Sequence, residues 1–468
     1  MKLHRRSVLG FGAASAGLLL MGRTAEAAPG LEGPLPDPVE KGLQVWDPRD
    51  QGYVAEEYLL SGTAPVYESV SMADAVDTNT RDSVADQARR TFSRKRTGPD
   101  QPYVTRLIVY RPRDAARFSG NVILECVHPG GGGHAIVWSA INRFFMDRGD
   151  AYVAVQHPST FEGLKKTEAQ RYARLGAAHP TQLWGMIADS ARRLKDGRGI
   201  GGLKARRLYM TGYSFTGVAT ATFANFHHDE TRLAGGKPVF DAYLPMANAT
   251  YVRPLDVPVM RMNTESDFGH FGGMNNRGEE GPRYRIYELA GCAHVATPHP
   301  QAGAAKPPRP VATPEAPGQP HTTPQACYAS FPKGSRPNEY PTRLVEAALF
   351  RNLYAWVDEG RAPPRSRFIE TDADGAPLRD AFGNARGGVR LPTVEAPNAT
   401  YEASRAEDCF LFGYTLPFTP DRMRELYGDK AGYVAKVAAA SDRAIADGFL
   451  LPEGAAELKA WAAAAENI

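Results

Sequence analysis

Gly212, Tyr213 and Ser214 lie within R-R-L-Y-M-T-G-Y-S-F-T-G, residues 206–217, where an apolar, strand-like run passes into small and apolar helix formers. A serine in a strand-to-helix turn can serve as a nucleophile. The turn exposes its hydroxyl, and because strand and helix pass close together it needs small residues two positions either side. Gly212 meets that need on one side; on the other stands Thr216, with Gly217 one position later. Serine is also a common residue at a helix start, so the rest of the chain has to decide.

Upstream, the apolar run Val122–Val127 leads into His128-Pro129-Gly130-Gly131-Gly132-Gly133. Four glycines let the main chain approach a substrate oxygen that side chains would otherwise block. The run resembles an H-G-G-G loop that lends a backbone N–H to an oxyanion. The expected oxyanion donors are the N–H of Phe215 and that of Gly130, Gly131 or Gly132. The loop lacks the G-K-[ST] ending and the acidic ribose partner that a nucleotide site would need.

Downstream, a base and its orienting acid should follow in the order acid, histidine, each after its own strand. Val257–Met262 reads as one strand and ends in Thr264-Glu265-Ser266-Asp267; a tight turn before the acid favours Asp267, with Glu265 as the alternative. Tyr284–Leu289 reads as the next and runs into Ala290-Gly291-Cys292-Ala293-His294, whereas His270 and His299 follow no strand directly. Aromatic residues near these turns (Tyr213, Trp138, Phe268, Phe215 and Phe271) are candidates to line a substrate pocket.

These turns need a framework. Short apolar runs at Leu107–Tyr110, Val122–Val127, Tyr152–Val155, Leu208–Met210, Ala242–Leu244, Val257–Met262 and Tyr284–Leu289 alternate with helix-like stretches. That is the pattern of an α/β protein with a mostly parallel central sheet flanked by helices. Leu183, Ile187, Ser190 and Leu194 fall at helical spacing behind Pro180, and a second helix is expected from after Tyr213 to Phe226. Twelve prolines between Val295 and Pro341 exclude a helix or central strand there and predict a long loop over 295–341. Helical patterns resume at Thr342–Val357, Asp421–Gly448 and Glu453–Ala465, and residues 366–468 read as an extension packed on a single domain spanning 28–468.

Of the 55 basic and 52 acidic residues, the excess of three lies in the first 27, leaving the remainder at 51 of each. A neutral chain offers no electrostatic reason to bind nucleic acid or an anionic membrane. Lys2, Arg5 and Arg6, the apolar stretch Val8 to Met21 and a small-residue cleavage site at Ala25-Glu26-Ala27 read as an export signal over 1–27, the apolar stretch being shorter than a membrane span requires. Arg5-Arg6-Ser7-Val8-Leu9 resembles a twin-arginine signal, which implies folding before export to the periplasm or medium. Four cysteines in an oxidising compartment allow two disulfides in three connectivities, although Cys126 in V-I-L-E-C-V fits a small buried residue. No C-x-x-C or close His/Cys spacing points to a metal, and no cofactor is expected.

With these turns in place the sequence resembles the α/β-hydrolase superfamily, and within it exported bacterial proteins described as "alpha/beta hydrolase domain-containing". The resemblance rests on G-Y-V-A-E-E-Y-L-L-S-G-T-A near 52–64, G-Y-S-F-T-G, T-E-S-D, A-G-C-A-H, W-V-D-E-G-R-A-P-P and above all D-A-F-G-N-A-R-G-G-V-R-L-P-T-V-E-A-P-N-A-T-Y at 380–401. Such proteins commonly read G-x-S-Q-[ST]-G at the nucleophile; Phe215 departs from the glutamine, leaving its backbone N–H in place. The combined expectation is an exported serine hydrolase acting on a small-molecule carboxylic ester through Ser214, His294 and Asp267. The competing reading is a ligand-binding or lyase protein on the same fold.

Overall fold

Strands buried on both faces read as continuous apolar runs, and the expected runs all become strands of one sheet. The computed structural model describes residues 30–36, 48–68, 95–129, 135–248, 250–267, 277, 280–296, 324–403, 409 and 411–468. Its main sheet contains β1 (Gly30–Glu32), β2 (Tyr53–Ala64), β3 (Gln101–Pro112), β4 (Asn121–Cys126), β5 (Ala151–Val155), β6 (Gly176–Ala177), β7 (Arg207–Tyr213), β8 (Ala242–Met246), β9 (Val259–Thr264) and β10 (Tyr284–Leu289). The order is β1-β2-β3-β5-β4-β7-β8-β9-β10, with β6 paired to β3. From β5 to β10 every pairing is parallel; β1, β2 and β3 join antiparallel.

The flanking helices include α1 (Ile136–Arg148), α2 (Leu183–Asp196), α3 (Phe215–Phe226) and α4 (Thr342–Glu359). Side chains alternate along each strand, so the sheet feeds two cores. Val122, Leu124, Leu208 and Met210 pack toward Met186, Ile187 and Leu194 of α2 and Phe223 of α3. Ile123, Tyr209, Leu244 and Met262 pack with Trp138 and Phe145 of α1 and Leu349 and Leu353 of α4. That second core also takes in Val389, Leu391, Tyr401, Tyr433 and Leu458, so residues of the 366–468 segment share apolar packing with the sheet. Among the described residues no helix is long and apolar enough to cross a membrane.

Three expectations need correction. The paired twelve-residue strands β2 and β3, in register from Tyr53 opposite Pro112 to Ala64 opposite Gln101, are missing from the expected runs, which held only Leu107–Tyr110. Glu56-Glu57 interrupts the apolar pattern of β2, but Glu57 is buried and its charge is met by Arg106, Arg171 and the Tyr172 hydroxyl. The proline-rich stretch 295–341 does hold a helix, Pro324–Ala329, with proline at its first position, where no intrahelical N–H is lost. It also supplies β11 (Arg336–Pro337), an edge strand of a three-stranded sheet ordered β11-β13-β12, with β12 at Ala399–Glu402 and β13 at Tyr414–Pro417. The helix expected over Asp421–Gly448 is two helices, α5 (Pro420–Tyr427) and α6 (Lys430–Ala446). Gly428, at φ +75°, ends the first, and the Asp429 carboxylate accepts the Gly432 N–H to start the second. The closing helix α7 spans Pro452–Ala463.

Cys327 and Cys409 form a disulfide, while Cys126 and Cys292 are buried thiols. The leader at 1–27 and residues Gly130–Gly133, Phe268, His270, Phe271 and His299 lie outside the described residues.

Candidate active site

Ser214 stands between the end of β7 and the start of α3 with φ +59° and ψ −125°, a conformation a non-glycine residue holds only when its surroundings impose it. Those surroundings are tight. A Cβ on Gly212 would come within 2.1 Å of the Thr216 carbonyl oxygen, and one on Gly217 within 2.3 Å of that of Met246. The close approach on the helix side therefore falls at Gly217, which leaves room for Thr216. The Thr216 hydroxyl accepts the Tyr213 N–H (2.8 Å) and lies 3.0 Å from a carboxylate oxygen of Glu125. Phe215 opens α3, so its N–H has no partner inside the helix.

The acid turn follows β9. One Asp267 oxygen accepts both the Thr264 N–H (2.7 Å) and the Thr264 hydroxyl (3.0 Å), which aims the other at His294 Nδ1, 2.8 Å away. His294 Nε2 lies 2.8 Å from Ser214 Oγ. A proton on Nδ1 satisfies the buried Asp267 carboxylate and leaves the Nε2 lone pair facing the serine hydroxyl. The three side chains thus form one line of hydrogen bonds, with Asp267 and His294 buried and Ser214 partly open. Geometrically the set can draw the proton from Ser214 as its oxygen attacks, and return it to a leaving group.

Glu265 points elsewhere. It accepts the Gly291 N–H at 2.6 Å and pairs with Arg379 at 2.5 Å. Burial pushes its pKa up to about 7, against the pull of Arg379 and the Gly291 N–H. Trp138, a candidate pocket residue, is corrected to a core residue: it is 1% exposed, stacks on Tyr110 with ring centroids 4.1 Å apart and sits on the α1 face turned to the sheet. Tyr213 is buried too, and its hydroxyl donates to the His294 carbonyl at 2.8 Å. The Phe215 ring meets the edges of His128 and His157 at 5.9 and 5.3 Å. Burial first, and His128 second, lower the His157 pKa to about 4, so it is neutral near pH 7.

Two residues beneath the turns escaped the sequence reading. Glu125, fully buried on β4, also accepts the Tyr152 hydroxyl (2.5 Å) and the Val137 N–H at the start of α1 (3.2 Å). Burial raises its pKa to about 7, opposed by these hydrogen bonds. A lone acid inside V-I-L-E-C-V was its available signal. Ser266 accepts the His294 N–H at 2.9 Å and donates to the Ala403 carbonyl at 2.5 Å; a serine between two acids carried no such signal.

A mostly parallel sheet bearing a strained serine turn, followed by acid and histidine turns on successive strands, is the α/β-hydrolase fold. The chain belongs to the family described as "Alpha/beta hydrolase domain", which matches residues 26–460. Among solved structures, a hyperthermophilic esterase from the archaeon Pyrobaculum calidifontis shares 18% identity over 31% of this chain and 41% of its own, with a TM-score of 0.22. A serine hydrolase without lid from Xanthomonas campestris shares 14% over 40% and 78%, at 0.27. A cold-adapted esterase from an Arctic intertidal metagenomic library shares 10% over 50% and 84%, at 0.28. This chain therefore spans about two fifths of the Pyrobaculum esterase. No curated protein matches it in sequence.

Proposed function

We propose that the protein is an exported serine hydrolase that cleaves an uncharged carboxylic ester through an acyl-enzyme. The observation that carries this reading is the unbroken line from Ser214 Oγ through His294 to Asp267, 2.8 Å at each step, beginning on a strained turn. Ser214 Oγ attacks the ester carbonyl while His294 Nε2 takes its proton, and Asp267 holds the ring and stabilises the imidazolium. The Phe215 N–H and a glycine N–H of 130–132 receive the oxyanion. His294 then protonates the departing alcohol, and water, activated by the same ring, releases the acid and restores Ser214. The near-neutral mature chain favours an uncharged substrate, and no feature marks a device for expelling a poor amine, so an ester is preferred to an amide.

Export is supported by the basic-apolar-small leader and by the Cys327–Cys409 disulfide, a bond that persists in oxidising compartments. The test is covalent labelling with an organofluorophosphonate, run beside p-nitrophenyl esters of rising chain length and their anilide analogues. Label on Ser214, with esters turned over faster than anilides, is the expected result. An unlabelled Ser214 in folded protein would favour a binding or lyase role, and faster anilides would overturn the choice of ester.

A further inference from the structure

His294 is presented by a turn whose peptide groups are held largely from outside the parallel sheet. The Gly291 N–H donates to Glu265 and its carbonyl accepts the Asn338 side-chain amide at 2.9 Å. The Ala290 N–H donates to the Val389 carbonyl at 3.1 Å, and the Val295 N–H to that of Leu411 at 2.9 Å. The His294 N–H reaches Ser266, which is itself tied to Ala403. Arg379 joins the two sides: one guanidinium nitrogen lies 2.5 Å from Glu265 and another 3.3 Å from Glu402, which adjoins Ala403. Val389, Ala403, Leu411 and Arg379 all belong to the 366–468 extension.

We propose that Arg379 is a positioning residue for the histidine, so that the C-terminal extension completes the active site. This rests on the serine-hydrolase reading above. Glu265 is 98% removed from solvent at its side chain, and a carboxylate so placed keeps its charge only with a partner. Arg379 supplies that partner. Above about pH 7 the charged carboxylate in turn makes a strong, charge-assisted bond to the Gly291 N–H, three residues before His294, and Glu402 carries the same guanidinium to strand β12, which ends at Glu402 beside Ala403. Without Arg379, burial favours the neutral acid, the hold on Gly291 weakens, and the ring drifts from Ser214.

The experiment compares Arg379→Gln, Arg379→Lys and Glu265→Gln with Arg386→Gln, which removes a half-exposed pair with Glu370 in the same extension. It reads kcat and KM on a p-nitrophenyl ester, and the downfield proton resonance of His294 Nδ1 in the full-length mature enzyme. Arg379→Gln should lower kcat roughly 10- to 100-fold, the range expected when a reacting group is misplaced by a fraction of an ångström to 1 Å. KM should stay within about twofold, since uniform binding is untouched, and the resonance should shift or broaden. Arg379→Lys should recover most of the loss, and Arg386→Gln should behave as the parent.

An Arg379→Gln enzyme with parental kcat and an unmoved resonance would overturn the proposal. So would a loss expressed in KM, or one that lysine fails to recover. If Arg379→Gln does not fold, Glu265→Gln carries the test: a fall in kcat supports the role, and parental kcat removes it. If the parent neither hydrolyses esters nor takes the fluorophosphonate label, the hydrolase reading fails by itself, and the resonance alone decides whether Arg379 positions the ring.

Discussion

The serine turn and the histidine turn face each other across one hydrogen bond but are built by different means. Ser214 is fixed by its own strand and helix, by the Gly212 and Gly217 contacts, and by Glu125 on the neighbouring strand β4. His294 sits at the end of an equally regular strand, β10, yet its turn depends on Glu265, Ser266 and partners up to 137 residues away from them. A nucleophile needs a strained backbone, which close packing of a strand and helix supplies locally. A base needs its ring aimed to within a fraction of an ångström, and that precision comes from hydrogen bonds made around it.

The largest effect should separate the two acids. Asp267→Asn is expected to lower kcat roughly 10⁴-fold by holding the wrong imidazole tautomer, far more than Glu265→Gln, which acts only through the turn. Steady-state kinetics on the same ester checks this, and equal losses would erase the distinction between orienting and positioning acids.

Next comes the disulfide that clamps the extension beside Leu411. Replacing Cys327 and Cys409 together by alanine opens a link across 82 residues and should cost about 2–4 kcal/mol, read by urea denaturation. If the histidine side depends on the extension as described, kcat should fall as well with little change in KM. A variant that is destabilised but fully active would show that the turn stands without the clamp.

On the serine side, Thr216→Val removes a hydrogen bond to Glu125 and leaves a buried carboxylate one donor short. About 1–3 kcal/mol of stability should be lost, and melting curves will register it. No change would mean that the two glycines alone hold the turn.

The smallest effect concerns pH. Glu346 on α4 is buried, and burial, with Glu125 pushing the same way and Arg343 opposing, raises its pKa to about 8, from about 4.3 in an unfolded chain. The folded state therefore binds the proton more tightly, and the stability it contributes at low pH is lost as pH rises from about 4.3 through 8. Glu346→Gln should gain on the parent in Tm as pH rises from about 5 to 8, the gain growing with pH. A parallel pH dependence in the two proteins would remove Glu346 from the balance beneath the serine turn.

Much of this molecule is written locally. The parallel strands β4, β5 and β7 to β10 are largely buried on both faces, so each appears as a short, mostly apolar run broken by few polar residues. The serine, acid and histidine each follow such a run within a few residues, which is why the order of turns can be read without coordinates. The antiparallel strands β2 and β3 were less legible, because the Glu57 charge is neutralised by Arg106 and Arg171, 49 and 114 residues away. Residues whose meaning lies in a distant partner carry no local pattern. Spacing favoured Asp267 as the acid, but that Glu265 faces Gly291 and Arg379 instead, that Trp138 turns into the core, that Cys327 pairs with Cys409, and that Ala403 and Leu411 brace the histidine were decided by tertiary structure alone. Sequence spacing sets which way a side chain leaves its own strand or turn. Which group it then meets depends on how segments a hundred residues apart pack.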